Sequence, residues 1–160
     1  MVKMSKGPFM EFLRVAVTET AANIYTEEQV QTPTSKTENM AMLIHSIEMD
    51  PNRIEAVAPS NGDYTQMQVT DRSQTGFKQV SRPGVLASVS LTTVLNAVYN
   101  NLSIIGKTSY KFDPPLLYPK AQIYCAINSQ GTDLVATGHF RIGYTLEKVS
   151  REDFISALVE

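Results

Sequence analysis

The chain has 160 residues, with 14 Lys and Arg against 16 Asp and Glu and a formal net charge of −2. At that length a single domain is expected, able to bury about two thirds of its surface without covalent staples. One cysteine excludes a disulfide framework and favours a protein assembled inside a cell, and scattered charge with no Lys/Arg block excludes a visible phosphate-neutralising arm.

Met1 to Pro8 is predicted to be an unstructured leader punctuated by Gly7-Pro8, with no apolar run of the kind a secretory signal needs. Glu11 to Glu19 sets Leu13, Val15 and Val17 against Phe12, Arg14, Ala16 and Thr18, the period of two that marks a strand. A second strand is expected over Ile24 to Gln31, ended by Thr32-Pro33, with Glu27 and Glu28 outward on an edge or solvated face. After a polar loop from Pro33 to Asn39, Met40 to Met49 is apolar on both sides, which predicts a strand covered on both faces. Asp50-Pro51-Asn52 should stop it, Ile54 to Pro59 extends, and Ser60-Asn61-Gly62-Asp63 turns.

Tyr64 to Thr70 alternates again, and Asp71 to Arg82, polar apart from Phe77 and Val80, reads as a surface excursion. From Val85 a strand is expected in the first half of a segment whose helical alternative spans Leu86 to Tyr99, because β-branched residues and serines outnumber helix formers. Pro83 to Gly106 has no formal charge, but its Ser, Thr and Asn side chains are too many to sit unpaired in hydrocarbon, so no transmembrane segment is expected. Lys107 to Phe112 extends to a rigid elbow at Asp113-Pro114-Pro115, where prolines forbid regular pairing.

Gln122 to Ile127 and Leu134 to Leu146 both alternate, and Asn128 to Asp133 between them is turn-forming, which predicts a long hairpin. The second strand is long enough to cross a whole sheet near its centre. Ser150 and Asp153 form a capping pair for a short C-terminal helix whose apolar stripe is Phe154, Ile155, Leu158 and Val159. Nine or so residues do not hold a helix alone, so the stripe must lie on the body or on a neighbouring subunit, and these four are the candidate assembly contacts. The layout expected is a leader over 1–8, an all-β antiparallel sandwich over 9–149 and an amphipathic helix over 150–160.

Chemistry is sparse. His45 and His139 belong to no metal spacing, His139 reading as a surface imidazole and His45 as a hydrogen-bonded core one. Cys125 falls on an inward position and reads as a buried thiol. No nucleophile elbow or phosphate loop appears, and Asp63, Asp71, Asp113 and Asp133 are each explained by turns rather than by a calcium rim. Asn101-Leu102-Ser103 fits a glycosylation sequon, taken as a chance match. No catalytic residue, metal or cofactor is expected, and an all-β domain without such a set is more often a binding or building element than an enzyme.

The order of Asp71-Arg72-Ser73-Gln74-Thr75, Pro83-Gly84-Val85, Tyr110-Lys111-Phe112-Asp113-Pro114-Pro115-Leu116-Leu117 and Arg141 to Ser150 resembles single jelly-roll capsid proteins of small icosahedral microbial viruses, with Met42 to Glu48 adding to the likeness. The resemblance covers about the last ninety residues and implies an eight-stranded jelly roll, a shell-forming coat protein that self-assembles into an icosahedral capsid. It implies a high-order symmetric homo-oligomer, with other capsid proteins as further partners, residence in the virion and assembly in the host cytoplasm. Direct nucleic-acid binding is not expected, since the basic amino-terminal arm of many RNA-packaging coat proteins is missing. The alternative is a carbohydrate- or receptor-binding sandwich, such as a spike or lectin-like module, stacking sugars on Tyr64, Phe77, Tyr99 or Tyr118.

Overall fold

In the computed structural model, which describes residues 9–52, 63–79, 81–96, 101–105, 109–131 and 135–159, the alternating runs are strands. They are β1 (Glu11–Thr18), β2 (Thr26–Gln31), β3 (Met40–Asn52), β4 (Tyr64–Thr70), β5 (Val85–Asn96), β6 (Asn101–Ile105), β7 (Ser109–Tyr118), β8 (Gln122–Gln130) and β9 (Thr137–Lys148), followed by helix α1 (Arg151–Val159). The four-stranded sheet has the order β1-β9-β3-β7 and the five-stranded sheet β2-β8-β4-β5-β6, all antiparallel. Apart from the β4-β5-β6 meander, each strand lies in the opposite sheet from the one before it. That interleaving is an eight-stranded jelly roll, with β6 widening one sheet beyond β5. The chain is therefore an all-β antiparallel sandwich with a short C-terminal helix, as its periodicity predicts.

The long hairpin does not form. β8 pairs with β2 and β4, whereas β9 pairs with β1 and β3 in the other sheet, so the turn-rich segment between them is a crossing. A period of two tells which face of a strand is dry and says nothing of its partner. β9 does lie inside its sheet, between β1 and β3.

Strand β3 departs from the reading of two covered faces. The pairing passes from Ile44 opposite Tyr144 to Ser46 opposite Gly143, leaving His45 as the extra residue of a β-bulge. The bulge resets the alternation, so Met42, Ile44, Ile47 and Met49 all point into the core, each 0–1% exposed. β3 also continues past its expected stop, since Asp50, Pro51 and Asn52 pair with His139, Gly138 and Thr137. The described pairing with β7 runs only to Glu48, so proline stands beyond the end of that ladder, where it is tolerated.

The expected elbow at Asp113-Pro114-Pro115 lies inside β7. Lys111 pairs with Ser46 and Leu116 with Ile44, so Phe112 to Pro115 bow out of the ladder and the strand resumes. The helical alternative over Leu86 to Tyr99 is overturned through Asn96, which β5 reaches in extended form. The expected extension over Ile54 to Pro59, most of the turn after it, Leu134 and Tyr99 lie outside the described residues.

Between the sheets, Met67 and Val69 from β4, Ile123 and Ile127 from β8, and Phe140 and Ile142 from β9 are each 0–2% exposed. Burying an aliphatic or aromatic side chain of this size is worth about 1.5–3 kcal/mol. Cys125 belongs to the same core, and burial, with smaller contributions from Glu28 and Glu27, pushes its thiol up to about 12. At helix α1, Ser150 Oγ accepts from Asp153 N at 3.0 Å and donates to Asp153 Oδ2 at 2.6 Å, closing the first turn.

One buried carboxylate joins the two layers. Glu19, 3% exposed, accepts from Ser129 Oγ at 2.8 Å, from the Ser129 amide on β8 and from the Ala136 amide just before β9, while its own amide donates to Ala136 O. Both ends of the β8 to β9 crossing are thereby tied to the end of β1. Replacing Glu19 with alanine strands two buried amides and should cost on the order of 3 kcal/mol, read as a lower urea midpoint at unchanged m-value.

Candidate functional site

The described residues contain no group of three or more His, Cys, Asp or Glu placed to hold a metal ion. His139 is exposed on β9, and His45, at the bulge, is half-buried with Nε2 3.0 Å from Thr145 Oγ1. His45 is thus hydrogen-bonded as expected, but on the outer face of the sheet rather than in the core. Asp71 is engaged by Arg72 and Lys120, and Asp133 lies outside the described residues. Of the aromatics considered for stacking on sugars, Tyr118 is turned inward with its hydroxyl donating to Gln122 O at 2.6 Å. Phe77 meets Tyr25 edge-on, with ring centroids 5.2 Å apart.

The richest surface is the outer face of the four-stranded sheet. Strand register lays its side chains in rows: Arg14 opposite Arg141, which is opposite Glu48, then Phe12 opposite Gly143, which is opposite Ser46 and, beyond it, Lys111. Arg141 Nη2 lies 2.6 Å from Glu48 Oε2, and its guanidinium carbon sits 5.1 Å from the centre of the Phe12 ring. The hydrogen bond from Arg141 holds the Glu48 carboxyl below its usual range, with the charges of Arg141 and Lys111 adding to it.

Gly143 is what lets Phe12 lie flat on the sheet. A Cβ there would come 2.7 Å from Ser46 Oγ and 3.2 Å from Phe12 Cε1. Two open cavities flank the ion pair, one of about 360 Å³ reaching Arg14, Asp50 and His139, the other of about 390 Å³ reaching Met10, Phe12, His45 and Asp113. Beside them, where β1 is the outermost described strand of its sheet, Phe9, Met10 and Phe12 are 74%, 49% and 42% exposed. Sequence reading set Phe12 on the outward side of the first strand but gave it no role. The signal that could have found it is Gly143, a glycine in mid-strand, which marks a close approach.

The C-terminal helix divides its predicted stripe. Phe154 is 3% exposed and Leu158 half-buried, with Ala157 beside them, whereas Ile155 and Val159 are 50% and 82% exposed. The four residues span about 140° of the helix, and the body takes only the side centred on Phe154. The helix borders a groove against β7 that is lined by Phe112, Pro114, Leu116 and Leu117.

The excursion after β4 is anchored at several of its described positions. Gln68, fully buried, clamps Lys78 with Nε2 donating to its carbonyl at 2.7 Å and Oε1 accepting from its amide at 3.2 Å. Thr70 Oγ1 donates to Arg72 O, Glu27 accepts from Ser73 Oγ and the Gln74 amide, and the Asp71 amide donates to Gly84 O. Gly84 is in the left-handed region at φ 88°, and a Cβ there would strike the Asp71 carboxylate. Burial works against charge on Asp71, yet hydrogen bonds from Arg72 and Lys120 outweigh it and hold its carboxyl below the ordinary 3.8.

No protein-family model and no curated protein matches the chain. Among solved structures it is similar to the unassembled pentamer of Merkel cell polyomavirus VP1, at 8% identity and TM-score 0.46 over 88% of this chain and 96% of that one. It is also similar to apo chimpanzee polyomavirus VP1, at 7% and 0.48 over 93% and 98%. A third is the VP1 of Trichodysplasia spinulosa-associated polyomavirus in complex with 3'-sialyllactose, at 8% and 0.46 over 91% and 96%. The fold assignment rests on the chain's own strand order.

Two expectations follow from the geometry. Gly143→Val should lift Phe12 from the sheet and lower stability by about 1–3 kcal/mol in a urea titration. Because Asp71 has a depressed folded pKa, its contribution is complete above the ordinary value and is lost as pH falls through the folded one. Acid titration of stability below about pH 4 should therefore be shallower in Asp71→Asn than in the parent chain.

Proposed function

We propose that the chain is a shell-forming structural subunit, a coat protein whose copies assemble into an icosahedral viral capsid. The observation that carries this reading is an eight-stranded jelly roll whose β1 edge presents Phe9, Met10 and Phe12 to solvent beside the Arg141–Glu48 pair. Monomeric proteins keep such clustered apolar exposure small, and a row of it rimmed by charge is the anatomy of a protein contact. The resemblance of Asp71 to Ser150 to capsid-type jelly rolls supports the same reading.

In this scheme the terminal helix has two jobs. Phe154 and Leu158 hold it to its own body, and Ile155 and Val159, one turn apart and outward, reach a neighbouring copy. Contacts between unlike patches close into rings and shells when the rotation between copies closes, so one outward edge can serve many copies. The assembled particle is the virion, built in the cytoplasm of a microbial host, with other coat proteins completing the shell.

Light scattering and electron microscopy of the purified chain over a range of salt and pH should show capsomers or particles. Phe12→Glu and Ile155→Glu should shift the population to smaller species; Ile155→Glu should leave the unfolding free energy within about 0.5 kcal/mol of the parent, and Phe12→Glu should lower it by about 1 kcal/mol, the scale of the lost contact with Arg141. A strictly monomeric chain under every condition would overturn the proposal.

A further inference from the structure

Over the five-stranded sheet, the anchored excursion gathers cations that the sequence keeps apart. Arg72, Lys78 and Arg82 stand six and four residues from one another, so no basic block is visible, yet with Gln74 and Pro83 they line one open cavity of about 470 Å³. All three cationic side chains are exposed. The nearby carboxylates are already engaged. Asp71 is shared between Arg72 and Lys120, and Glu27 accepts from Tyr25, Ser73 and Gln74. Among the described residues, the three cations of the cavity and Lys120, which joins them through Asp71, thus stand against two carboxylates, a local excess of two positive charges on a chain whose net charge is −2.

The cluster is also preorganised. Arg72 is fixed by two hydrogen bonds to Asp71, at 2.7 and 3.2 Å, which leaves three of its five guanidinium N–H donors not engaged by that residue. Lys78 is carried on a backbone clamped by the buried Gln68 amide. Arg82 follows a turn in which its amide donates to Gln79 O and its carbonyl accepts from Val85. Surface lysines and arginines on a slack loop lose conformational freedom when they bind an anion, and here the backbone is already held.

We infer that this cavity is a phosphate-binding site for single-stranded nucleic acid, engaging the backbone and ignoring the bases. Two guanidinium groups, an ammonium and a carboxamide are donors for phosphate oxygens, and among the described residues no aromatic side chain lines the cavity to stack or read a base. The choice of a polynucleotide rests on the shell reading, since a packaged polyanion needs counter-charge and these 160 residues contain no Lys/Arg block to supply it. On this inference the scatter of basic residues along the sequence is no obstacle to a nucleic-acid contact, because folding assembles what the sequence disperses.

The test is fluorescence anisotropy of a labelled single-stranded oligonucleotide of mixed sequence with the full chain across a salt series, with light scattering on the same samples. Neutralising two to three phosphates predicts a log–log salt slope of about −1.4 to −2. The Lys78→Glu/Arg82→Glu pair should weaken binding at least about tenfold and flatten that slope, and Lys148→Glu on the other sheet should change neither. A parent slope near zero, or full binding by a folded double variant, overturns the inference even where particles form. Binding with the predicted slope by a chain that never assembles upholds it and removes the shell reading instead. Heparin bound while the oligonucleotide is not would assign the cavity to sulfated glycan and overturn the nucleic-acid assignment.

Discussion

The extra residue at His45 governs what the four-stranded sheet turns toward solvent. β3 runs between β9 and β7, so its phase decides the chemistry of both sheet faces at once. With strict alternation from Met42, the side chains of Ile47 and Met49 would point outward and that of Glu48 would enter the core without a partner, a burial no sandwich sustains. The bulge moves Glu48 outward and opposite Arg141, and it returns Ile47 and Met49 to the interior. β7 matches it by bowing out Phe112 to Pro115 against the same point, so core and outer face depend on one local adjustment.

Much of this architecture is legible in the residues because alternation is a direct record of one dry face. Leu13, Val15 and Val17, or Phe140, Ile142 and Tyr144, can be assigned inward without any coordinates, and Ser150 announces its helix. The pairing of strands is not recorded that way. β8 and β9 look like a hairpin because turn residues separate them, yet the crossing is stabilised by Glu19, more than a hundred residues away, whose carboxylate satisfies amides at both ends of the connection. A buried acid at the end of a strand looks in sequence like any solvated one. The double-sided apolar pattern of Met40 to Met49 misled for a related reason, since a phase change and two covered faces produce the same string of letters.

The excursion after β4 shows polar groups doing what apolar ones usually do. With only Phe77 and Val80 apolar, it reads as a loose surface segment, and no hydrophobic count would predict that it is held in place. Its order comes from Gln68, Thr70, Glu27 and Asp71, which satisfy its backbone or side chains from the sheet or the loop's own stem. Gln68 sits on the side of its strand away from the core yet is fully buried, because the loop lies over it. Alternation predicts that a side chain leaves the core and is silent on whether another segment covers it.

The outer sheet face has little to offer folding. An exposed ion pair contributes about 0–1 kcal/mol, and a cation over an exposed aromatic ring about 0.5–1 kcal/mol. Arg14 directly opposite Arg141 works against even that, since like charges across a strand pair repel. What the arrangement does provide is order. Glu48 holds one side of the Arg141 guanidinium, Phe12 lies against its face, and Gly143 leaves the room that keeps Phe12 down. Ordering a mobile side chain at an interface costs about 0.5–1.5 kcal/mol, so a face whose large side chains are already held meets much of that cost before a partner arrives. The same logic applies to the helix end, where Phe154 fixes the backbone from which Ile155 and Val159 project. Rigid side chains that add little to the stability of their own fold are the ones from which a contact of the kind proposed would gain most.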